Sequence, residues 1–369
     1  MQRRSGKGTY QSPLPSSSDA NAPRSHGDDH FSPNTASLVG TCPDMCPAKE
    51  RAQRQRLRDL SVFERVDGNP KRTSPDLAVK KFCRTISTLD VQASDMRPLP
   101  VLQKTLDYLL SLLDSSPYPF EIVHDFVFDR TRSIRQDLSM QNIVNDQAIH
   151  MYEEMVKFHI TSHRKLASCW SKPDVSSLCY LNMEQMMKCL LTLFDLYRIN
   201  RKSIKKNEAE FHSLYVLLHL GCKIPKMGES LSLWYRQLSP SILRSEQMRF
   251  ARTLLRYSQL GNFKHFFALL ASEATDLQLC LAEPFLNEVR AQAILYINYA
   301  GYKLQPYPFT HLSKILMIKE SDLETLCVEC GLETSTDESG SKFLPAKQTS
   351  FCLPKAGFRT SSSLASEKV

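Results

Sequence analysis

Apolar side chains recur three and four residues apart from about residue 100 almost to residue 300. That spacing builds helices with one buried stripe and leaves little room for a sheet. Leu102, Leu106, Leu109 and Leu113 form one such stripe, and Met183, Met187, Leu190, Phe194 and Tyr197 form another. Prolines, and the glycines at 221 and 261, punctuate the pattern. It predicts helices over 76–89, 100–113, 120–138, 142–167, 182–199, 207–220, 240–260, 262–270 and 275–299. Helices of this length with short breaks imply an all-α scaffold of stacked helical hairpins, a right-handed solenoid of the TPR/PCI-like kind. No repeat is visible in the residues themselves.

After Gly301 the texture changes. Residues 309–318 and 321–330 read as short helices, the second opened by a capping box of Ser321 and Glu324. Residues 341–345 and 349–353 read as extended runs. Helix, helix, strand, strand is the order of a winged helix. The expected domains are a disordered tail (1–37), a helical scaffold (38–300), a winged helix (301–358) and a second disordered tail (359–369). The first tail holds Leu14, Phe31 and Tyr10 among Ser, Pro, Gly, Asn and Asp, too little apolar surface to offset its ordering entropy.

Composition narrows the chemistry. Glycine is scarce, 12 of 369 residues, and neither GxGxxG nor GxxxxGK[ST] occurs, so the common phosphate cradles are missing. No apolar run nears the roughly 20 residues that span a bilayer. The N-terminus lacks a signal-peptide apolar region, so the 11 cysteines are expected as reduced thiols. The net charge of +8 permits an anionic partner.

The segment Gly40-Thr41-Cys42-Pro43-Asp44-Met45-Cys46-Pro47 looks at first like a metal or redox site. Zinc needs four ligands, usually from two close pairs. Cys42/Cys46 and Cys327/Cys330 would supply them from almost 300 residues apart, with no supporting histidine pair. The structural reading fits better. Pro43 and Pro47 fix the backbone and remove donors, so Cys42, Pro43, Asp44, Cys46 and Pro47 make a stiff lead-in to a helix. No cofactor is implied.

That helix opens with Lys49, Arg51, Arg54, Arg56 and Arg58 against one acid, Glu50. Arg51, Arg54 and Arg58 share a face at i, i+3, i+7, a candidate contact for an RNA backbone if it is not simply solvated. Arg198, Arg201, Lys202, Lys205 and Lys206 form a second such cluster. No interleaved aromatics point to base stacking at either place. In the run 126–138, Asp129, Arg130, Arg132 and Arg135 are expected to make ion pairs that fix helix packing, with Asp129 near Arg132 and Arg132 near Gln136 along the helix. A catalytic role for these carboxylates lacks a nearby nucleophile. His159 and His163 lack the glutamate of His-Glu-x-x-His, and Glu208 and Glu210 point to different sides. The expectation is a non-enzyme. The second terminal helix carries Glu320, Asp322, Glu324 and Glu329 and no cation from 320 to 333, the wrong sign for reading DNA. Asp322, Glu324 and Glu329 are therefore candidates for a protein interface, and Lys342, Lys347, Lys355 and Arg359 for a nucleic-acid backbone.

Assembled in order, these blocks resemble a family. Gly-Thr-Cys-Pro-Asp-Met-Cys-Pro-x-x-Glu-Arg (40–51), Val-Lys-Lys-Phe (79–82), Phe-Val-Phe-Asp-Arg-Thr-Arg-Ser-Ile-Arg-Gln-Asp-Leu (126–138), Tyr-Glu-Glu-Met-Val-Lys-Phe-His-Ile (152–160) and Glu-Ala-Glu-Phe (208–211) are similar to the shared region of the GANP / suppressor-of-actin-three scaffolds. The resemblance implies a nuclear mRNA-export assembly linking transcription to the pore. It implies a terminal winged helix beside that of a PCI-domain partner, a small acidic proteasome-lid-type peptide on that partner, and a joint surface contacting RNA without sequence specificity. Neither a membrane nor a small-molecule substrate is implied. The large members add a pore-engaging N-terminal region and a long C-terminal helix that gathers centrin. This chain is expected to resemble the short members, some of them linked to centrosomes and spindles. A centrosomal or proteasome-lid-like scaffold with no RNA role is thus the alternative.

Overall fold

The computed structural model describes residues 38–85, 91–167, 173–201, 205–221, 230–300, 305–338 and 340–354. The two expected disordered tails, 1–37 and 359–369, lie outside the described residues. The chain is mostly helical.

α1 (Ala48–Leu57) begins at Pro47, and α2 (Leu99–Ser115) carries Pro100 in its first turn, where a missing N–H costs nothing. Leu102, Leu106 and Leu109 are fully buried, as their spacing requires. α3 (Phe120–Met140) lies against α2, and α4 (Asp146–Ala167) runs along α5 (Pro173–Ile199). α6 (Glu208–Leu217) continues into a 3-10 turn at Leu218–Leu220. Gly221 follows it with extended backbone rather than the left-handed cap the sequence suggests.

The expected helix over 76–89 does not form across 76–85, and its remainder falls on residues outside the described ones. The reason is tertiary. The Val79 amide donates to Glu64, and the Lys80 amide to the Met45 carbonyl, so the donors a helix needs are taken.

Serial caps divide what periodicity reads as longer helices. Ser230, Ser239 and Ser245 open α7 (Leu231–Gln237), α8 (Pro240–Arg244) and α9 (Glu246–Gln259), each accepting from an amide three residues on. α7 had no counterpart in the sequence reading. Asn262 caps α10 (Phe263–Glu273). Thr275 and Gln278 form a capping box on α11 (Asp276–Ala282). Pro284 then forces a 3-10 turn before α12 (Leu286–Ala300). α6 and α9 pack together, and so do α9 and α10.

The terminal module is β1 (Tyr307–Pro308), α13 (Phe309–Leu316), α14 (Glu320–Glu329), β2 (Ser335–Thr336) and β3 (Lys342–Leu344). The strands form one antiparallel sheet in the order β1-β3-β2, with Tyr307 opposite Leu344 and Ser335 opposite Phe343. Two details correct the sequence reading. Lys319, not Ser321, caps α14, and Ser321 lies inside the helix, so the expected capping box is absent. Residues 349–353 form no strand; the partners of β3 come from 307–308 and 335–336 instead. Gly331 has φ +74°, and an added Cβ would sit 2.6 Å from the Ser350 carbonyl oxygen, so only glycine fits this turn.

One continuous core runs from Met45 to Leu344. Arg290 ties the terminal module to α12. Buried at 3% exposure, it donates to the Leu316 and Met317 carbonyls at 3.1 and 2.7 Å, satisfying the C-terminal end of α13. Asn298 donates to the Gln348 carbonyl and accepts from its amide, fixing the segment after β3.

Candidate interface and its buried charge seat

The Cys-Pro segment is laid against the helices by backbone contacts. Thr41 and Cys42 amides donate to the Ala93 and Met96 carbonyls at 2.8 and 2.9 Å. The Gly40 amide donates to Gln141 Oε1, whose Nε2 donates to the Arg97 carbonyl. Approach here is so close that a Cβ at Gly40 would lie 2.5 Å from the Met96 oxygen. Asp44 accepts from Arg51 at 2.8 Å, and Arg51 also donates to the Cys46 carbonyl at 3.2 Å. Cys42 and Cys46 are buried. Burial raises both thiols, Cys46 to about 12, which disfavours the thiolate that metals and disulfides require. Burial likewise pushes Cys327 and Cys330 up to about 12. Among the described residues no three His, Cys, Asp or Glu side chains converge as a metal site, so the two cysteine pairs are not assembled into one.

Two buried carboxylates organise the charges beneath this segment. Glu64, fully buried in a 3-10 turn at Val62–Glu64, accepts from Arg54 and from Arg130 (3.1 Å), and from the Ser61 and Val79 amides at 3.0 Å each. Burial alone would raise its carboxyl; Arg130 and Arg54 outweigh that and hold it below the ordinary range. Asp137, also fully buried, accepts from Lys80 at 2.6 Å and Arg97 at 2.8 Å. Arg97 reaches further, to Ser133 Oγ and the Met45 carbonyl. The seat thus joins α1, the 60s turn, the 78–82 and 93–97 segments, and α3.

This corrects the reading of α1. Arg54 is 5% exposed and spent on the Glu64 carboxylate and the Val79 and Asp59 carbonyls, so it is not available to RNA. Nor does it share a face with Arg58, because the helix stops at Leu57 and Arg58 turns to φ 58° in the left-handed region. Arg51 is half-buried on Asp44, while Lys49, Arg56 and Arg58 are exposed. On α3 most of the charged side chains reach across to other segments rather than along the helix. Arg130 binds Glu64 and Asp129; Asp129 also accepts from the Phe82 amide. Arg132 stacks over Phe82 at 3.9 Å, Gln136 donates to the Cys83 carbonyl, and Arg135 donates to Gln185. The expected Asp129–Arg132–Gln136 ladder is replaced by these longer contacts.

In the second basic cluster, Arg201 and Lys206 are exposed, Lys205 pairs with Asp146 at 2.6 Å, and Arg198 pairs with Asp195. Lys202 lies outside the described residues, as do Lys355 and Arg359. Of the acidic trio on α14, Glu329 is exposed, Glu324 pairs with Lys342, and Asp322 is buried at 8% exposure. Burial takes Asp322 out of the candidate interface. Val328, 63% exposed beside Glu329, takes its place on that face.

Among the described residues, four histidines lie in the core. His124 and His159 share Asn182 Oδ1 at 3.2 and 2.8 Å. His163 packs on Phe285 and His212 on Phe194. Burial lowers all four: His159 to about 3, His163 and His212 to about 4. They are neutral near pH 7.

The sequence reading missed Glu64, Lys80 and Arg97 as partners, and it passed over the arginines of α9. The latter had a signal, an excess of cations over acids in that stretch. Glu64 had none, since nothing in its spacing points to Arg54 or Arg130.

The motif segment, the charge seat and the helices beyond it have known counterparts. The SAC3/GANP family model matches residues 45–336, and the chain belongs to that family. It is 38% identical over 330 residues to SAC3 family protein B of Arabidopsis thaliana, covering 87% of this chain and 19% of that protein. It is 32% identical over 338 residues to SAC3 family protein 1 of Schizosaccharomyces pombe, covering 85% of this chain and 32% of that protein. Protein xmas of Drosophila melanogaster is 30% identical over 294 residues, 75% of this chain and 14% of its own length. The chain therefore spans a third or less of these relatives.

Proposed function

We propose that the chain is a non-enzymatic scaffold of a nuclear mRNA-export assembly, pairing with a PCI-domain partner and contacting RNA. The observation that carries this reading is membership of the SAC3/GANP family across residues 45–336. Packed helix pairs such as α4/α5 and α6/α9 suit the stacked, PCI-like solenoid of such scaffolds. The order β1-α13-α14-β2-β3 suits a winged helix, with α14 offering Val328 and Glu329 to a partner's winged helix. On this reading α14 does not enter a DNA groove, because its exposed charges are acidic. Among the described residues, Lys49, Arg56 and Arg58 at one edge, and Arg201 and Lys206 at another, are the exposed cations of the two basic clusters offered to RNA. Arg51 contributes mainly to its own turn.

The test is recovery of the tagged chain from nuclei, with and without nuclease, followed by mass spectrometry. The proposal expects a PCI-domain protein retained under both conditions and RNA lost with nuclease. Partners that bind with no RNA recovered under either condition favour a protein-only scaffold, centrosomal or proteasome-lid-like.

A further inference from the structure

Residues 230–264 hold six cations, Arg236, Arg244, Arg249, Arg252, Arg256 and Lys264, against one acid, Glu246. Five of the chain's eight net charges therefore sit in this stretch. All six cations are exposed, and none is ion-paired among the described residues. Arg249, Arg252 and Arg256 follow one another at i, i+3, i+7, so a single face of α9 carries them over about 10 Å at 1.5 Å per residue. On α4 and α5 the exposed charge is treated differently. Lys157, Lys188 and Arg198 each pair with an acid three or four residues away.

We infer that this α7–α9 face binds the phosphodiester backbone of single-stranded RNA. The inference rests on the RNA-contact reading above and assigns that contact to residues outside both basic clusters of the sequence reading. Three observations select the occupant. The cations are arginines save one, and the guanidinium fork matches two phosphate oxygens at once. The α9 row is of one sign from Arg249 to Arg256, with Glu246 the one acid of residues 230–264 at its N-terminal end, which suits a uniformly charged chain better than a protein surface of mixed sign. Half-buried aromatics lie along it: Arg252 stands 5.4 Å from the Tyr235 ring, and Tyr257 lies 5.6 Å from His265. Unpaired bases stack on such rings, whereas duplexes keep their bases hidden. The groove beside α9, with Arg249 on its rim, is also lined by Glu246 and Glu273, so the phosphates follow the outer arginine face rather than the groove.

The test is fluorescence anisotropy of a labelled oligouridine 20-mer with the full chain across a salt series, for wild type and for R249Q/R252Q/R256Q. The variant should bind at least about tenfold more weakly near 0.1 M salt. Its log–log salt slope should fall by about 2, three phosphates at about 0.7 each. R249K/R252K/R256K should keep most of the slope, and since both variants alter only exposed positions, an unchanged melting temperature accompanies either result. Wild type binding RNA with the glutamine variant equal to it in affinity and slope overturns this inference alone. Wild type binding no RNA overturns the RNA-contact reading with it. Loss of binding to a polyglutamate peptide, with RNA affinity intact, assigns the face to an acidic protein and overturns the inference.

Discussion

Arg54 on α1 and Arg252 on α9 look alike in the sequence, each one member of an i, i+3, i+7 arginine row. The fold uses them oppositely. Arg54 is buried against a carboxylate that a second arginine also holds. Arg252 stands at the surface over Tyr235, without an acid. An arginine's role here is set by whether a carboxylate distant in sequence has been folded beneath it. The buried seat fastens the Cys-Pro segment to α3; the exposed row is left to meet a partner.

The contrast can be broken first at Asp137. D137N leaves Lys80 and Arg97 buried without a counter-charge, and urea unfolding should show a loss of about 3–5 kcal/mol or no cooperative transition at all. R54Q should cost about 2–4 kcal/mol, because Glu64 keeps only Arg130, whereas R252Q should stay within about 0.5 kcal/mol of wild type. Equal costs for the two arginines would erase the distinction.

Acid provides a third probe. The folded-state pKa values of His159, His163 and His212 are depressed, so the unfolded chain binds more protons below its ordinary value of 6.5. Stability should be full above about pH 7 and fall as pH drops through 6.5 towards 4. The expected loss is on the order of 2 kcal/mol per histidine by pH 5. The low pKa of Glu64 acts in the same direction at lower pH, when its carboxyl protonates. A melting temperature flat from pH 7 to 5 would contradict the buried neutral histidines. G40A should cost about 1–3 kcal/mol through its clash with the Met96 carbonyl, measured by thermal unfolding. A small effect of the opposite sign is expected at R58G. Relief of the left-handed strain at a helix end should stabilise by up to about 1 kcal/mol, as a small rise in melting temperature.

How far the fold was legible follows the range of the interactions. α2 and α3 could be read because their apolar stripes are local and proline marks their starts. The helix expected over 76–89 failed because Val79 and Lys80 give their amides to Glu64 and Met45, partners that periodicity cannot see. The long helices expected over 240–260 and 275–299 were cut at Ser245 and Pro284, both visible in the sequence but outweighed there by the apolar pattern. Within the candidate site, the Cys-Pro segment's stiffness was legible from its prolines. The loss of Arg54 to the interior was not, since it depends on Glu64. The α9 row was legible in principle from charge alone, but apolar core positions interrupt it and hide its single sign.

The central claim is that buried arginines build the scaffold while exposed ones on α7–α9 and at the α1 edge meet RNA. Ultraviolet cross-linking of the full chain to RNA, with the adducts mapped by mass spectrometry, tests it most directly. The account predicts adducts within residues 230–264, at or beside Tyr235 and Tyr257, with weaker ones near Arg56 and Arg58. Adducts confined to α14 and the strands, or none on a chain that is folded and partner-bound, would contradict it.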